Sequence, residues 1–195
     1  MKKGILSLII LGIVLCGRAS LFADDSASKY IKTPQWITFK DNQITLMYQP
    51  DINLKKLEAR LHSRYFSVSA MEENLFSSPA YRIESRISAR LESILLKVKQ
   101  ILAMNPPSMI LKIKVFKSRN ELNNEYFRIF NSNTRYKSFY VYGLETIYTS
   151  MQDITDSVIA HEMSHAVLDH YFNVIPPPKV AEFLAVYVDS HLERE

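Results

Sequence analysis

The chain has 195 residues, about the size of one domain. Hydrophobic residues make up 47% of it and charged residues 23%, a balance that is typical of a folded globular protein and excludes a disordered chain. The formal net charge of +4 falls to +1 without Lys2, Lys3 and Arg18, and no dense basic stripe with interleaved aromatic residues follows, so we expect no nucleic-acid partner.

Residues 1–23 have the order of a secretory signal peptide. Two lysines precede an apolar run from Ile5 to Leu15, and small or polar residues follow it as far as Ala23. The run is much shorter than the roughly 20 residues that span a bilayer, so we predict cleavage after Ala23, with Ala19 as the alternative site. The mature protein is therefore expected to be periplasmic or secreted, with no membrane span.

Cys16 is the single cysteine of the chain. Lipidation at Cys16 is the less favoured reading, because bacterial lipoprotein signals have a small residue where Leu15 stands here. If Cys16 is removed with the signal peptide, disulfides and thiolate ligands are excluded from the mature protein. Any metal ion must then be bound by His, Asp or Glu.

The mature sequence is predicted to be a flexible lead-in at 24–35 and a single α+β domain at 36–195. Hydrophobic periodicity, caps and proline positions predict the elements in chain order. They are a β-hairpin at 36–48, helices at 53–66 and 79–104, a strand at 109–116, a short helix at 118–130, and strands at 139–142 and 146–149. We expect a small mixed or antiparallel sheet packed with helices.

A metal-binding motif, HEMSH at residues 161–165, lies in a segment at 154–172 that is predicted to be helical. Side chains four residues apart share one face of a helix, so His161 and His165 can bind one zinc ion. Glu162 projects about 100° away around the helix, which lets it act as general base toward a zinc-activated water without binding the metal. Coincidence is the alternative, but the apolar residues on both sides are typical of a buried active-site helix.

A catalytic zinc site usually has three protein ligands and one open position. The candidates for the third ligand that follow the motif are Asp169, His170, Glu182, Asp189 and His191. We favour Glu182, because three prolines at 176–178 and a second helix at 179–191 would direct its side chain back toward the histidines. The alternative for Glu182 is a solvated glutamate stabilised by the helix dipole.

The segments HEMSHAVLDHYF and AEFLAVYVD, joined by the prolines, resemble the gluzincin zinc peptidases, and most of all the bacterial peptidase-MA-like group. The second helix of that group carries a Glu-Gly-Leu-Ala-x-Tyr pattern, which residues 182–187 match except for Phe183 in place of glycine. The resemblance spans about residues 108–192, the metallopeptidase core, and leaves 36–107 as an N-terminal part. It implies His161, His165 and Glu182 as zinc ligands and Glu162 as the base, with Phe183 narrowing the cleft.

The region from Tyr140 to Thr149 is similar to the strand that lines the substrate cleft of such enzymes. Such a strand pairs with an extended peptide through its backbone, while pockets select the side chains. The resemblance implies that Thr146, Ile147 and Tyr148 form this substrate-binding edge. The donors to the oxyanion stay open among Tyr140, Tyr142, Tyr148 and Tyr187.

We therefore expect an exported zinc metallopeptidase that hydrolyses peptide bonds of a peptide or protein substrate. One alternative is a zinc-binding periplasmic module for binding or assembly that does not cleave peptides, suggested by Phe183 and by the short sequence after Glu182. A purely structural reading, in which the two histidines are incidental to helix packing, predicts no bound metal.

Overall fold

A five-stranded β-sheet organises the molecule. The computed structural model describes residues 35–61 and 82–192, which fall in the unit from Pro34 to Glu195. The strands are β1 (Ile37–Asp41), β2 (Ile44–Tyr48), β3 (Leu111–Phe116), β4 (Ser138–Val141) and β5 (Thr146–Ser150). Their order in the sheet is β1-β2-β3-β5-β4. Strands β2, β3 and β5 run parallel, whereas β1 and β4 are antiparallel to their neighbours.

The described ranges also contain five helices, which confirms the predicted α+β fold. They are α1 (Leu54–Arg60), α2 (Ile83–Leu102), α3 (Arg119–Phe130), α4 (Asp156–Tyr171) and α5 (Pro178–His191), and a 3-10 turn at Tyr142–Leu144 joins β4 to β5. Asn53, Ser118 and Thr155 precede α1, α3 and α4, and each side chain accepts a hydrogen bond from a backbone N–H of the first turn. Helix α5 instead begins at a proline, whose fixed φ suits a first turn.

The two faces of the sheet have separate cores because alternate strand residues point to opposite sides. Ile113 and Ile147 belong to the larger core, which also contains the apolar faces of α2, α4 and α5. Phe116 and Tyr148 point to the other face and pack with Leu122 of α3. The motif helix α4 and helix α3 therefore lie on opposite faces of the sheet.

The predicted elements agree with the structure to within a few residues wherever it describes them. The hairpin turns at Asn42, whose φ of 41° is a left-handed conformation that asparagine tolerates. The predicted continuation of the first helix to Phe66 and the predicted start of the second at Pro79 lie outside the described residues, as do the signal peptide and Cys16. No helix in the described part of the chain is long and apolar enough to cross a membrane.

Candidate metal centre and cleft

Helix α4 holds the motif histidines at the border of the larger core. Ala160, Met163 and Val167 are fully buried, and they fix which face of the helix packs on the core. His161 and His165 lie on the partly exposed face, with their ring centroids 5.1 Å apart. The local sequence therefore presents both imidazoles on one side, as the spacing of four residues predicts.

Helix α5 brings Glu182 to the two histidines. Ala185 and Val188 of α5 are buried and belong to the side of the helix that packs inward. One carboxylate oxygen of Glu182 lies 3.5 Å from Nε2 of His161, and the other lies 3.5 Å from Nε2 of His165. The three side chains form a cluster whose possible ligand atoms all lie within 4.8 Å of one another.

These distances and donor types fit a zinc ion. Zinc binds imidazole nitrogen and carboxylate oxygen at roughly 2.0–2.2 Å, so two ligand atoms of a tetrahedral site are about 3.4 Å apart. The two separations of 3.5 Å, each to a different oxygen of Glu182, are close to that value, and all possible ligand atoms of the cluster lie within 4.8 Å of one another. Two neutral imidazoles and one carboxylate also leave a fourth position free, as a hydrolytic site requires.

Asp189, two turns after Glu182 on α5, orients one of the histidines. Its carboxylate lies 3.0 Å from Nδ1 of His161 and can only accept, so Nδ1 carries the hydrogen and Nε2 is left to face Glu182. This hydrogen bond raises the pKa of His161, whereas burial lowers the pKa of His165. Asp189 was one of the candidates for the third ligand, and its position beside His161 was not predicted. A separation of seven residues places Asp189 and Glu182 on one helix face, and this spacing is the signal in the sequence that could have indicated it.

Glu162 is the most buried acidic residue of the site, with only 7% of its surface exposed. Burial raises the pKa of its carboxyl group, while a 2.6 Å hydrogen bond from Ser138 Oγ and one from the Tyr140 backbone N–H oppose that rise. Both donors belong to β4, so the strand holds the carboxylate in place. No local pattern in the sequence indicated Ser138, because it contacts Glu162 only through the packing of a strand on a helix.

The other candidates for the third ligand have different partners. Asp169 accepts a 2.6 Å hydrogen bond from the Tyr140 hydroxyl. His170 donates a hydrogen bond from Nδ1 to the Ala166 carbonyl oxygen at 2.9 Å. His191 likewise donates from Nδ1 to the Tyr187 carbonyl oxygen at 2.8 Å. The cluster in the described residues that could hold a metal ion therefore contains Glu182 and none of these three.

Thr146, Ile147 and Tyr148, which were predicted to form a substrate-binding edge, do not lie at an edge of the described sheet. These residues form β5, which pairs with β3 on one side and with β4 on the other, and all three are buried. Their backbone groups are thus committed to the sheet and cannot pair with a peptide. In the described sheet the outer strand on this side is β4, the neighbour of the predicted edge strand.

Two other expectations about the cleft also change. Phe183 does not narrow it, because the side chain is 70% exposed and lies outside the residues that line the cleft. Of the four tyrosines considered as oxyanion donors, Tyr140 and Tyr142 line the cleft, while Tyr148 and Tyr187 do not. Burial raises the pKa of Tyr140 and of Tyr142, and Asp169 contributes to both shifts, so both hydroxyls keep their protons near neutral pH.

The cluster opens into a cleft of about 640 Å³ that contains His161, Glu162, His165 and Glu182 in its lining. Strand β4, the end of α3 and the proline connector at 176–178 form the rest of its walls. A cavity of this size is typical of a binding site for a ligand or a peptide segment. No protein-family model matches the chain, and a search of curated proteins found no match to it.

Proposed function

We propose that the protein is an exported zinc-dependent metallopeptidase. The observation that carries this proposal is the convergence of the His161, His165 and Glu182 donor atoms within 4.8 Å of one another, in a cleft that also contains the buried Glu162. When bound by these three side chains, zinc would lower the pKa of a water molecule and polarise the carbonyl group of a substrate.

Glu162 supplies the proton transfers in this proposal. A buried carboxylate with a raised pKa accepts a proton more readily at neutral pH than an exposed one. It takes the proton from the water that attacks the carbonyl carbon, and it delivers that proton to the amine nitrogen when the C–N bond breaks. The hydrogen bond from Ser138 keeps the carboxylate in a fixed position for both transfers.

The substrate would be an extended polypeptide. Strand β4 ends the sheet in the described part of the chain, so its outer backbone groups can pair with an added strand. Because Ser138 and Tyr140 of β4 also contact Glu162, a peptide paired there would pass close to the base. This arrangement favours a peptide or protein over a nucleic acid.

The test is cleavage of a peptide mixture by the zinc-loaded protein, with products identified by mass spectrometry, beside Glu162→Gln. General acid–base catalysis contributes about 10²–10⁴-fold, so we expect the variant to lose at least a hundredfold in kcat/KM. The variant keeps both histidines and Glu182, so it should bind zinc like the wild type. Cleavage that survives Glu162→Gln would refute the proposed role of this residue.

A second candidate is a zinc-binding protein on the same fold that does not cleave peptides. The observation that favours it is the pair of hydrogen bonds to Glu162 from Ser138 and Tyr140, since both make the carboxylate a weaker base. Ser138→Ala separates the two candidates. If the protein is a peptidase, Ser138→Ala should change the rate of peptide cleavage. If it is the second candidate, neither the wild type nor Ser138→Ala should cleave any peptide, although zinc should still raise the melting temperature of both.

A further inference from the structure

Four aromatic side chains form one end of the cleft, a surface that we call the aromatic wall: Tyr126, Phe130, Tyr136 and Phe139. The Tyr126 ring is at its centre, with centroid distances of 4.6 Å to Phe130, 5.0 Å to Phe139 and 5.7 Å to Tyr136. Phe139 is also stacked on Tyr148 of the sheet at 4.9 Å. The wall is therefore fixed to the sheet and is preorganised for binding.

Two rings of the wall, Phe130 and Tyr136, are exposed to solvent although they are large and mainly apolar. Phe130, the last residue of α3, is 46% exposed, and Tyr136, in the loop before β4, is 58% exposed. Contiguous exposed apolar side chains beside polar groups mark sites of interaction. Ile175, itself half exposed, adds an apolar side chain to the lining of the same cleft.

The wall and the proposed metal centre lie on opposite sides of β4. Ser138 and Tyr140 of this strand point to α4, where they contact Glu162 and Asp169. Phe139, between them, points to the other face and contacts Tyr126. Since a peptide paired with β4 must alternate its side chains in the same way, every second side chain would fall on the wall.

We propose that the aromatic wall is a specificity subsite of the cleft and that it takes an aromatic or large aliphatic side chain of the polypeptide substrate. This inference rests on the proposed function, because it assumes that a peptide lies along β4. Burial of a Phe or Leu side chain corresponds to about 10- to 100-fold in affinity over an exposed side chain. The side chain selected should be at a fixed spacing from the cleaved bond.

The first test uses peptides of Gly, Ala and Ser that each contain one Phe, Leu, Lys or Asp, incubated with the zinc-loaded protein. Phe and Leu peptides should be cleaved with kcat/KM at least tenfold above that of the Asp peptide, mainly through KM. Phe130→Ala and Tyr136→Ala should lower this preference, and Tyr136→Phe should retain it. Phe127→Ala is the matched control, because Phe127 is a 49% exposed ring on α3 that does not line the cleft.

Binding of the same peptides to Glu162→Gln, followed by fluorescence anisotropy, separates failure of the subsite from failure of the proposed function. Cleavage without any preference for Phe or Leu, or a preference that Phe127→Ala lowers as much as Phe130→Ala, would overturn the subsite and leave the peptidase standing. If no peptide is cleaved, tighter binding of the Phe peptide that is lost in Phe130→Ala would still support the subsite. Equal binding of the Phe and Asp peptides would overturn it.

Discussion

Replacement of Asp189 by asparagine is expected to weaken zinc binding about tenfold while leaving one zinc ion per chain at saturation. The carboxylate lies 3.0 Å from Nδ1 of His161 and fixes the hydrogen on that nitrogen. Asparagine removes the negative charge that makes Nε2 a better donor, and it weakens the hydrogen bond that orients the ring. The other two proposed ligands, His165 and Glu182, are unchanged.

The size of the effect follows from the surroundings of Asp189. Removal of a carboxylate behind a metal-binding histidine typically costs 10–100-fold in metal affinity. The Asp189 side chain is 36% exposed, so solvent screens part of its charge, and an asparagine amide oxygen can still accept from Nδ1. Both considerations favour the lower end of that range, which corresponds to about 1.4 kcal/mol.

Competition with a chromophoric zinc chelator at neutral pH measures this affinity. The matched control is Glu145→Gln, which removes a carboxylate 3.6 Å from Nε2 of His170, a histidine outside the metal-binding cluster. We expect the control to bind zinc as the wild type does. An Asp189→Asn affinity within twofold of the wild type, or an equal loss in Glu145→Gln, would refute the assigned role of Asp189.

Three further predictions concern stability and are checked by urea unfolding of the metal-free protein. The Arg119 hydrogen bonds lower the pKa of the buried Asp153, so this carboxylate stabilises the fold above its unfolded pKa of about 3.9 and loses that effect as the pH falls through the lower, folded pKa. Asp153→Asn should therefore cost about 2 kcal/mol at pH 7 and less at pH 3, and an equal cost at both values would contradict the pairing. Thr155→Ala removes the cap of α4 and should cost about 1 kcal/mol, with zinc stoichiometry unchanged. Leu91→Ala opens a cavity in the larger core and should cost about 2–5 kcal/mol, whereas a cost near zero would mean that α2 does not pack as described.

The local signals in the sequence predicted the helices and most strands because each depends on neighbouring residues. The side-chain cap at Ser118 and the prolines at 176–178 are features of a few consecutive positions, and the structure has a helix that begins at each of them. The spacing of the histidines likewise predicted a shared helix face. Glu182 was favoured from an expected helix pair, and in the structure it lies beside both histidines.

What the sequence did not predict depends on long-range pairing. The strands at 138–141 and 146–150 have similar mixtures of apolar and polar residues. No local pattern therefore indicated that β5 is interior and that β4 is at the edge of the described sheet. The hydrogen bond from Ser138 to Glu162 joins residues 24 apart, and the aromatic wall joins a helix, a loop and a strand. Such contacts follow from the order of strands in the sheet, which the periodicity of single segments does not determine.

The zinc content of the purified protein, beside Glu182→Ala and Glu145→Ala, tests the metal centre most directly. After growth with zinc and purification without chelators, we predict about one zinc ion per chain in the wild type and in Glu145→Ala, and a clear loss in Glu182→Ala. Glu182 is largely exposed, so its replacement should leave the fold intact, which circular dichroism verifies. No zinc in the wild type, or equal zinc in all three proteins, would contradict a site built from His161, His165 and Glu182.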